Sequence, residues 1–151
     1  VYDPATNTWS DAAPLPKARD HLAVAAVNGR IHVIGGRFNT PLDNTNMHDI
    51  YDPAKNSWTS GPPLPTPRSG GASALYKGLI VVVGGECNNA RPFVETEGFD
   101  VATGRWRTLA SMPIGKHGIT AGTDGQVIYI AGGNPECGLA YSNRLVTFNL
   151  P

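Results

Sequence analysis

The sequence has no excess of either charge. Its 151 residues include 12 lysines and arginines and 12 aspartates and glutamates, and charged residues make up only 16% of the chain. Such a sparse and balanced charge gives no electrostatic footprint for a phosphate backbone, so we expect no nucleic-acid partner. The longest apolar runs, such as residues 79–83, have the length of a strand. They fall far below the ~20 residues of a membrane helix, so we expect no membrane partner.

Cysteine is also scarce, with only Cys87 and Cys137 in the chain. Two cysteines make no metal framework, so no metal site is expected. Both follow a pair of glycines in variable stretches of neighbouring repeats, where a disulfide is one alternative. Two free thiols in a reducing compartment are the default expectation. Because Val1 lies in the middle of a motif, the start of the chain does not indicate the compartment.

The chain is instead rich in internal repetition. The corner Tyr2-Asp3 recurs as Tyr51-Asp52 and Phe99-Asp100, at offsets of 49 and 48 residues. The same offsets relate the tryptophans, the basic residues and the glycine pairs: Trp9, Trp58 and Trp106; Arg19, Arg68 and Lys116; Gly35-Gly36, Gly84-Gly85 and Gly132-Gly133. Units near fifty residues are typical of arrays that bury their apolar faces against neighbours. We therefore expect a single domain over residues 1–151, with repeats at approximately 1–15, 16–64, 65–112 and 113–151, the first and last being partial.

The spacing inside the units shows where length varies. The sequence separation from the aromatic corner residue to Trp is always 7 residues. The separation from Trp to the basic residue is always 10, and that from the basic residue to the first glycine is always 16. Only the stretch from the glycine pair to the next aromatic residue changes, being 16, 15 and 16 residues. This stretch is predicted to hold the variable loop, and loops on a rigid scaffold commonly carry recognition.

Each complete unit is predicted to contain four short antiparallel strands. In the first, residues 21–27 form an apolar run that ends at Asn28-Gly29, a dipeptide that favours a tight hairpin, and residues 31–34 form the second strand. The third strand is predicted to end at Tyr51 and the fourth to start near Trp58. With no helical periodicity in the chain, the fold class is all-β, and units of this kind are typical of β-propeller blades.

The glycine pairs, the Tyr-Asp-Pro corner and the spaced tryptophans resemble the kelch repeat over essentially the whole chain. The chain resembles half of a bacterial six-bladed kelch protein of undefined activity, in segments such as 17–23 and 84–86. The departures are Val101 for the corner proline, Lys116 for arginine and Asn149 for the last corner aspartate. The resemblance implies a propeller that binds with its loop rim and channel mouth.

The strand count predicts association between chains. A strand near Trp9, two complete blades and three strands ending at Phe148 make twelve strands, which is three blades' worth. Closed propellers have about four to eight blades, so three cannot close and six is the only multiple of three in that range. We expect a homodimer in which residues near Trp9 of one chain complete the last blade of the other. Because the chain opens in mid-motif, a fragment of a longer six-bladed chain is the alternative.

Strand direction predicts which residues face a partner. Since neighbouring strands run in opposite directions, the connections between blades share one face with the variable loops. We expect this face to bind a protein segment or a polar small molecule. The candidate binding residues are Arg19, Asp20, His21, Arg37, Arg68, Ser69, Glu86, Arg91, Lys116, His117 and Tyr141.

Some of these candidates have structural alternatives. The basic residues at one repeat position, Arg19, Arg68 and Lys116, can instead satisfy carbonyl or carboxylate groups between blades. Arg37 and Glu86 each follow a glycine pair and can form an ordinary ion pair between blades.

The histidines differ from one another. His21 is the most distinctive, because the other two repeats have glycine at its position, and a residue that breaks a repeat is freer to take a functional role. His32 and His48 lie within predicted strands and are expected at packing or surface positions. A metal site formed by His21 and His117 would lack two further ligands.

No catalytic constellation is evident, so a noncatalytic binding module without a cofactor is the leading hypothesis. The relatives of this fold include copper oxidases, for whose tyrosine, cysteine and histidine ligands the sequence has no clear equivalent. They also include sugar-acid mutarotases, which need little more than an acid–base pair beside a sugar pocket. Arg68, Glu86 and His21 could supply such a pair, so a mutarotase or epimerase-like enzyme is the alternative function.

Overall fold

The computed structural model describes residues 1–40, 42–87 and 90–150. The regular elements in these ranges are β-strands, thirteen in number, and they form four antiparallel sheets that follow one another along the chain. None of the described residues belongs to a helix long and apolar enough to cross a lipid bilayer.

Two of the sheets are complete four-stranded meanders. Strand β3 pairs with β4, β4 with β5 and β5 with β6, and strands β7 to β10 repeat this order. The bounds are β3 Ala23–Val27, β4 Arg30–Ile34, β5 His48–Asp52, β6 Ser57–Ser60, β7 Ala72–Tyr76, β8 Leu79–Gly85, β9 Phe93–Asp100 and β10 Arg105–Thr108. The all-β fold with four-stranded antiparallel blades is thereby confirmed.

The other two sheets are incomplete and lie at the ends of the chain. Their strands are β1 Tyr2–Asp3 and β2 Thr8–Trp9 at the start, and β11 Thr120–Thr123, β12 Ile128–Ala131 and β13 Leu145–Phe148 at the end. The predicted count of twelve strands is one too low for the described residues. The extra strand is β1, because Tyr2 pairs with Trp9 and Asp3 with Thr8 to make a hairpin.

The local sequence explains the turns. Asn28 and Gly29 both have positive φ, 50° and 72°, as the tight hairpin between β3 and β4 requires. At the corner between third and fourth strands, Asn7, Asn56 and Gly104 share one repeat position and also have positive φ. Asparagine and glycine tolerate this left-handed backbone better than most residues, so the turn fixes the register of each blade.

The core lies between sheets, as in an array of stacked units. The cluster between the first two complete blades contains Ala23, Ala25, Ile34, Leu64, Ile80, Val82 and Phe99. The cluster between the second blade and the last sheet contains Ala72, Ala74, Tyr76, Leu79, Val81, Val83, Met112, Ile128 and Ile130. Strand β8 is buried along its whole length because sheets cover both of its faces.

The glycine pairs are points of close approach between blades. A methyl group at Gly35 would lie 2.5 Å from the backbone carbonyl of Arg68 and 3.5 Å from Leu64 in the next blade. No real Cβ tolerates the first distance, so these glycines let the backbone of one blade rest against the next. Because the approach occurs at the strand ends, it also aligns the loops at this edge of the sheets.

Candidate functional site: the loop rim

The segments that lead into β3, β7 and β11 are joined side by side at one edge of the sheets. The carbonyl of His21 accepts a hydrogen bond from the amide of Gly70 at 2.8 Å, and the carbonyl of Gly70 accepts one from Gly118 at 2.8 Å. These bonds bring residues of three repeats into one line. We call six of the residues there the rim cluster: Asp20, His21, Arg37, Ser69, Glu86 and His117.

Glu86 is at the centre of the rim cluster. Its Oε2 accepts hydrogen bonds from Nη1 of Arg37 and from Oγ of Ser69. Its Oε1 lies 3.8 Å from Nε2 of His21 and 3.9 Å from Nδ1 of His117. The bond between Arg37 and Glu86 is the inter-blade ion pair that the sequence offered as their alternative role. The carboxylate is thus held by one guanidinium and flanked by two imidazoles.

Arg37 also binds the loop of its own blade. Its Nε donates to Oδ1 of Asp20 at 2.8 Å, and its Nη2 lies 3.2 Å from Nε2 of His21. The hydrogen bond from Arg37 is the largest cause that lowers the pKa of Asp20 below its ordinary value, so this carboxylate stays ionised. Since a guanidinium only donates, Nε2 of His21 is the acceptor in its contact with Arg37, and Nδ1 is the donor to Asp20 over 3.0 Å.

The backbone of His21 is strained. Its φ is 54°, in the left-handed region, where the equivalent residues are Gly70 and Gly118 with φ of 67° and 58°. A side chain in this region costs about 1–2 kcal/mol, and such outliers concentrate at functional sites. The imidazole itself is 43% exposed. The fold therefore places an accessible imidazole at the rim against a local conformational preference.

The three basic residues at the shared repeat position do not face the rim. The side chain of Arg68 is 1% exposed and pairs with Glu97, and that of Arg19 is 0% exposed and pairs with Asp49 at 2.8 Å. Lys116 is fully buried and donates to two backbone carbonyls. Burial is the main cause that lowers the pKa of Lys116. All three therefore satisfy carbonyl or carboxylate groups, as their structural alternative proposed, but these groups belong to their own blades and do not lie between blades.

Two other predicted residues lie outside the rim cluster. Arg91 is half-exposed and pairs with Glu95 at 3.6 Å. Tyr141 is 97% exposed in the loop between β12 and β13. The residues suggested for an acid–base pair are also separated, because Arg68 is committed to its buried partner while Glu86 and His21 remain at the rim.

The two cysteines form a disulfide with a Cα–Cα distance of 5.6 Å. The expectation of free thiols is therefore wrong. Cys87 and Cys137 are 50 residues apart, close to one repeat length, so their loops lie side by side in neighbouring blades. The bond ties the segment after Glu86 to the loop that carries the exposed Leu139 and Tyr141.

Sequence reasoning missed the acidic partners of the buried arginines. Asp49 and Glu97 are 48 residues apart and occupy the third strand of successive blades, where the neighbouring residues are buried. A carboxylate repeated at one register position of a buried strand was the signal that could have identified them. Across residues 1–40, 42–87 and 90–150, no group of three or more His, Cys, Asp or Glu residues is arranged to hold a metal ion.

Comparison with known proteins identifies similarity to kelch-repeat proteins. A family model described as Kelch motif matches residues 18–65 and 67–113. Human Kelch-like protein 35 is 57% identical over 35 residues, which is 23% of this chain and 6% of that protein. An F-box/kelch-repeat protein of Arabidopsis thaliana is 38% identical over 50 residues, 33% of this chain and 13% of that protein. Kelch-like protein terF of Aspergillus terreus is 46% identical over 35 residues, 23% of this chain and 8% of that protein. The chain spans only a small part of the length of these relatives.

Proposed function

Because the chain belongs to the kelch-repeat family, we propose that it is a noncatalytic binding module whose rim cluster recognises a protein segment or a polar small molecule. The observation that supports this most directly is the strained backbone of His21, which holds an imidazole at the rim where the other repeats have glycine. Strain of this kind persists only where the surroundings impose it, and it is common at ligand sites.

The chemistry of the rim cluster favours a polar, uncharged contact. Asp20 and Glu86 are both bonded to Arg37, whose guanidinium offsets one of the two negative charges and already occupies both carboxylates, so neither carboxylate needs an ionic ligand as its partner. What the cluster offers a ligand is a set of oriented donors and acceptors, with Asp20 and His21 the more exposed members. Peptide backbone and side-chain amides, which both donate and accept, are the groups that fit this arrangement.

Replacing His21 by glycine tests this function with a built-in stability control. The variant restores the residue of the other repeats and relieves the strained φ, so the protein should be at least as stable as the parent. A peptide selected from a displayed random library on the parent protein would serve as the ligand. Its Kd, measured by isothermal titration calorimetry, should rise at least fivefold in His21→Gly, as for a contact worth more than about 1 kcal/mol.

Arg91→Ala is the matched control, since Arg91 is exposed and lies outside the rim cluster. Its Kd for the same peptide should stay within a factor of about two. Equal affinity in the parent, His21→Gly and Glu86→Gln proteins would show that the selected peptide binds elsewhere, and would refute the assignment of the rim.

We also propose that the chain closes a six-bladed ring with a second copy, and the packing at the two ends supports this. Leu64 and Met112 are buried against the glycine pair of the preceding blade, but Leu15, at the same repeat position, is only half-buried. At the other end, a methyl at Gly132 would meet only one atom, at 3.7 Å, whereas one at Gly84 would meet a carbonyl of the next blade at 2.6 Å. Each end therefore has the surface that fits the other.

The backbone hydrogen bonds between blades support the same pairing. The second glycine of each pair donates its amide to the carbonyl of the basic residue in the next blade, at 3.0 Å for Gly36 and 2.9 Å for Gly85. Gly133 is the second glycine of the last pair, and Arg19 is the basic residue of the first repeat. The amide of Gly133 and the carbonyl of Arg19 have no backbone partner among the described residues. A second copy placed end to end would pair the amide of Gly133 with the carbonyl of Arg19.

A cavity beside the last sheet fits the tryptophan of a second copy. In the first complete blade, Nε1 of Trp58 donates to the carbonyl of Ala13 at 2.9 Å. Ala110 occupies the repeat position of Ala13 in the last blade, and it lines a cavity of about 220 Å³ together with Phe148. Trp9 is 79% exposed on its hairpin. Inserted beside β13 of another copy, it would supply the missing fourth strand and fill this cavity.

Sedimentation velocity over a concentration series tests the closure. The chain should form a dimer at low micromolar concentration, and Trp9→Ala should weaken the dimer at least tenfold by removing the inserted ring. Lys55→Ala, which removes an exposed side chain from the corner turn of the first complete blade, is the control. A stable monomer at all concentrations would refute dimer formation, and a dimer indifferent to Trp9→Ala would refute the strand exchange.

A further inference from the structure

His32 and His48 form a buried pair between the first two blades. They are 5% and 2% exposed, and Nδ1 of His32 lies 2.8 Å from Nε2 of His48. Nδ1 of His48 lies 3.0 Å from the carbonyl of Pro62. A carbonyl can only accept, so His48 donates from Nδ1 and accepts at Nε2, and His32 donates the bond between the rings.

This arrangement leaves one polar atom of His32 without a hydrogen bond. Burial is the main cause that lowers the pKa of both rings, so both are neutral near pH 7. A neutral His32 that donates from Nδ1 has an unprotonated Nε2, and no described residue bonds to it. This nitrogen is not one of the fully buried polar atoms that lack a partner among the described residues, so it is accessible and can accept a hydrogen bond from a small molecule.

The blade itself does not require histidine at this position. The equivalent of His32 in the next blade is Val81, which is buried in the apolar core, and the last sheet has Tyr129. His48 pairs with Ile34 across the sheet, and the equivalent residue in the next blade is Thr96. The histidine pair therefore breaks the repeat in a single blade, and packing alone does not account for it.

A cavity of about 250 Å³ adjoins His32 on the side of the β3–β4 hairpin. Its apolar wall is formed by Val27, Ile50, Phe99 and Val101. The centroid of the Phe99 ring lies 5.7 Å from that of the His32 imidazole, so an aromatic ring stands beside the histidine in this cavity. Arg30 lies at the edge and is already paired with Asp52 at 3.6 Å, so no ligand charge is needed to balance it.

We propose that this cavity binds a small neutral aromatic alcohol, whose hydroxyl group donates to Nε2 of His32 while its ring packs against Phe99 and the aliphatic wall. An engineered apolar cavity of about 150 Å³ holds benzene, so about 250 Å³ accommodates a single substituted ring. The site is distinct from the rim cluster, and it stands whether or not the rim binds a ligand.

Phenol and anisole are the probes, because they share a ring but only phenol can donate a hydrogen bond. Imidazole nitrogen resonances of the parent protein would be followed by long-range ¹H–¹⁵N correlation spectra during titration with each. Phenol should shift the Nε2 resonance of His32 in a saturable way, and anisole should bind about tenfold more weakly, the value of a good hydrogen bond. Equal binding of both probes, or binding of neither, would overturn the proposal.

His32→Val gives an independent test, since it copies the residue of the second blade. Phenol binding should fall at least tenfold in this variant, while His21→Gly, which changes a histidine at the rim, should leave it unchanged. Undiminished affinity in His32→Val would also overturn the proposal. If His32→Val does not fold, the comparison of phenol with anisole on the parent protein decides the question alone.

Discussion

Replacing Glu97 by glutamine tests whether Arg68 serves the blade or a ligand. Both side chains are almost completely buried, and they are bonded to each other. The guanidinium also donates to the carbonyls of Val82 and Gly84 at 2.9 Å and of Thr66 at 3.0 Å. Glutamine keeps the size of glutamate but removes its charge, so the variant leaves a buried cation without its anion.

The expected loss follows from this geometry. Removing one partner of a buried ion pair costs about 3–5 kcal/mol. Because three carbonyl oxygens remain on Arg68 and the glutamine amide still offers an oxygen, we expect the low end, about 3 kcal/mol. That is a large part of the roughly 5–15 kcal/mol that stabilises a typical domain. Asp49→Asn removes the equivalent partner of Arg19 and should cost a similar amount.

Urea unfolding followed by tryptophan fluorescence measures the effect. All variants must be compared at one protein concentration, since the proposed association would contribute to apparent stability. Glu95→Gln is the partly exposed control, because it removes the partner of the half-exposed Arg91, and its effect should stay within about 1 kcal/mol. A loss below about 1 kcal/mol in Glu97→Gln would refute the structural role and return Arg68 to the candidate ligand contacts.

Three further outcomes are expected. Burial lowers the pKa of His48 and brings that of His32 to about 4 from 6.5, so the folded state binds fewer protons than the unfolded chain between these values. The free energy of unfolding should therefore fall by about 2–3 kcal/mol as the pH drops from 6.5 to 4, and urea titrations showing a flat profile would contradict this. Reducing the bond between Cys87 and Cys137 should cost about 2–4 kcal/mol in the same assay, and a protein indifferent to thiol reductants would contradict this. Gly84→Ala would place a methyl 2.6 Å from a carbonyl at a φ of 65°, so a loss above about 2 kcal/mol is expected by thermal denaturation, and a neutral result would disprove the close approach.

The repeat spacing was enough to predict the fold. The sequence separations from Trp58 to Arg68 and from Arg68 to Gly84 recur unchanged in the other repeats, which indicates that each unit has the same strands and turns. Local turn chemistry then fixes the ends of the strands. The first strand, Tyr2–Asp3, was missed because two residues carry no periodicity of their own.

The candidate site was predictable only in part, for a physical reason. Repeat position identifies the loop but not the direction of a long side chain, so Arg37 at the rim and Arg68 in the interior looked alike. The carboxylate that pairs with Arg68 lies 29 residues further along the chain, on another strand, so no local sequence pattern around Arg68 indicates the pairing. The pairing of His32 with His48 depends in the same way on sheet register, which brings residues 16 apart into contact.

The hydrogen bonds that link His21, Gly70 and Gly118 fix the spacing of the repeats at the rim independently of the side chains there. Both the donor and the acceptor of each bond belong to the main chain, so the spacing between successive repeats does not depend on which side chains are present there. The residue at this position can then change in one repeat at a time while the spacing between repeats is preserved. Single substitutions therefore change the chemical groups that the rim presents, with no accompanying adjustment of the scaffold.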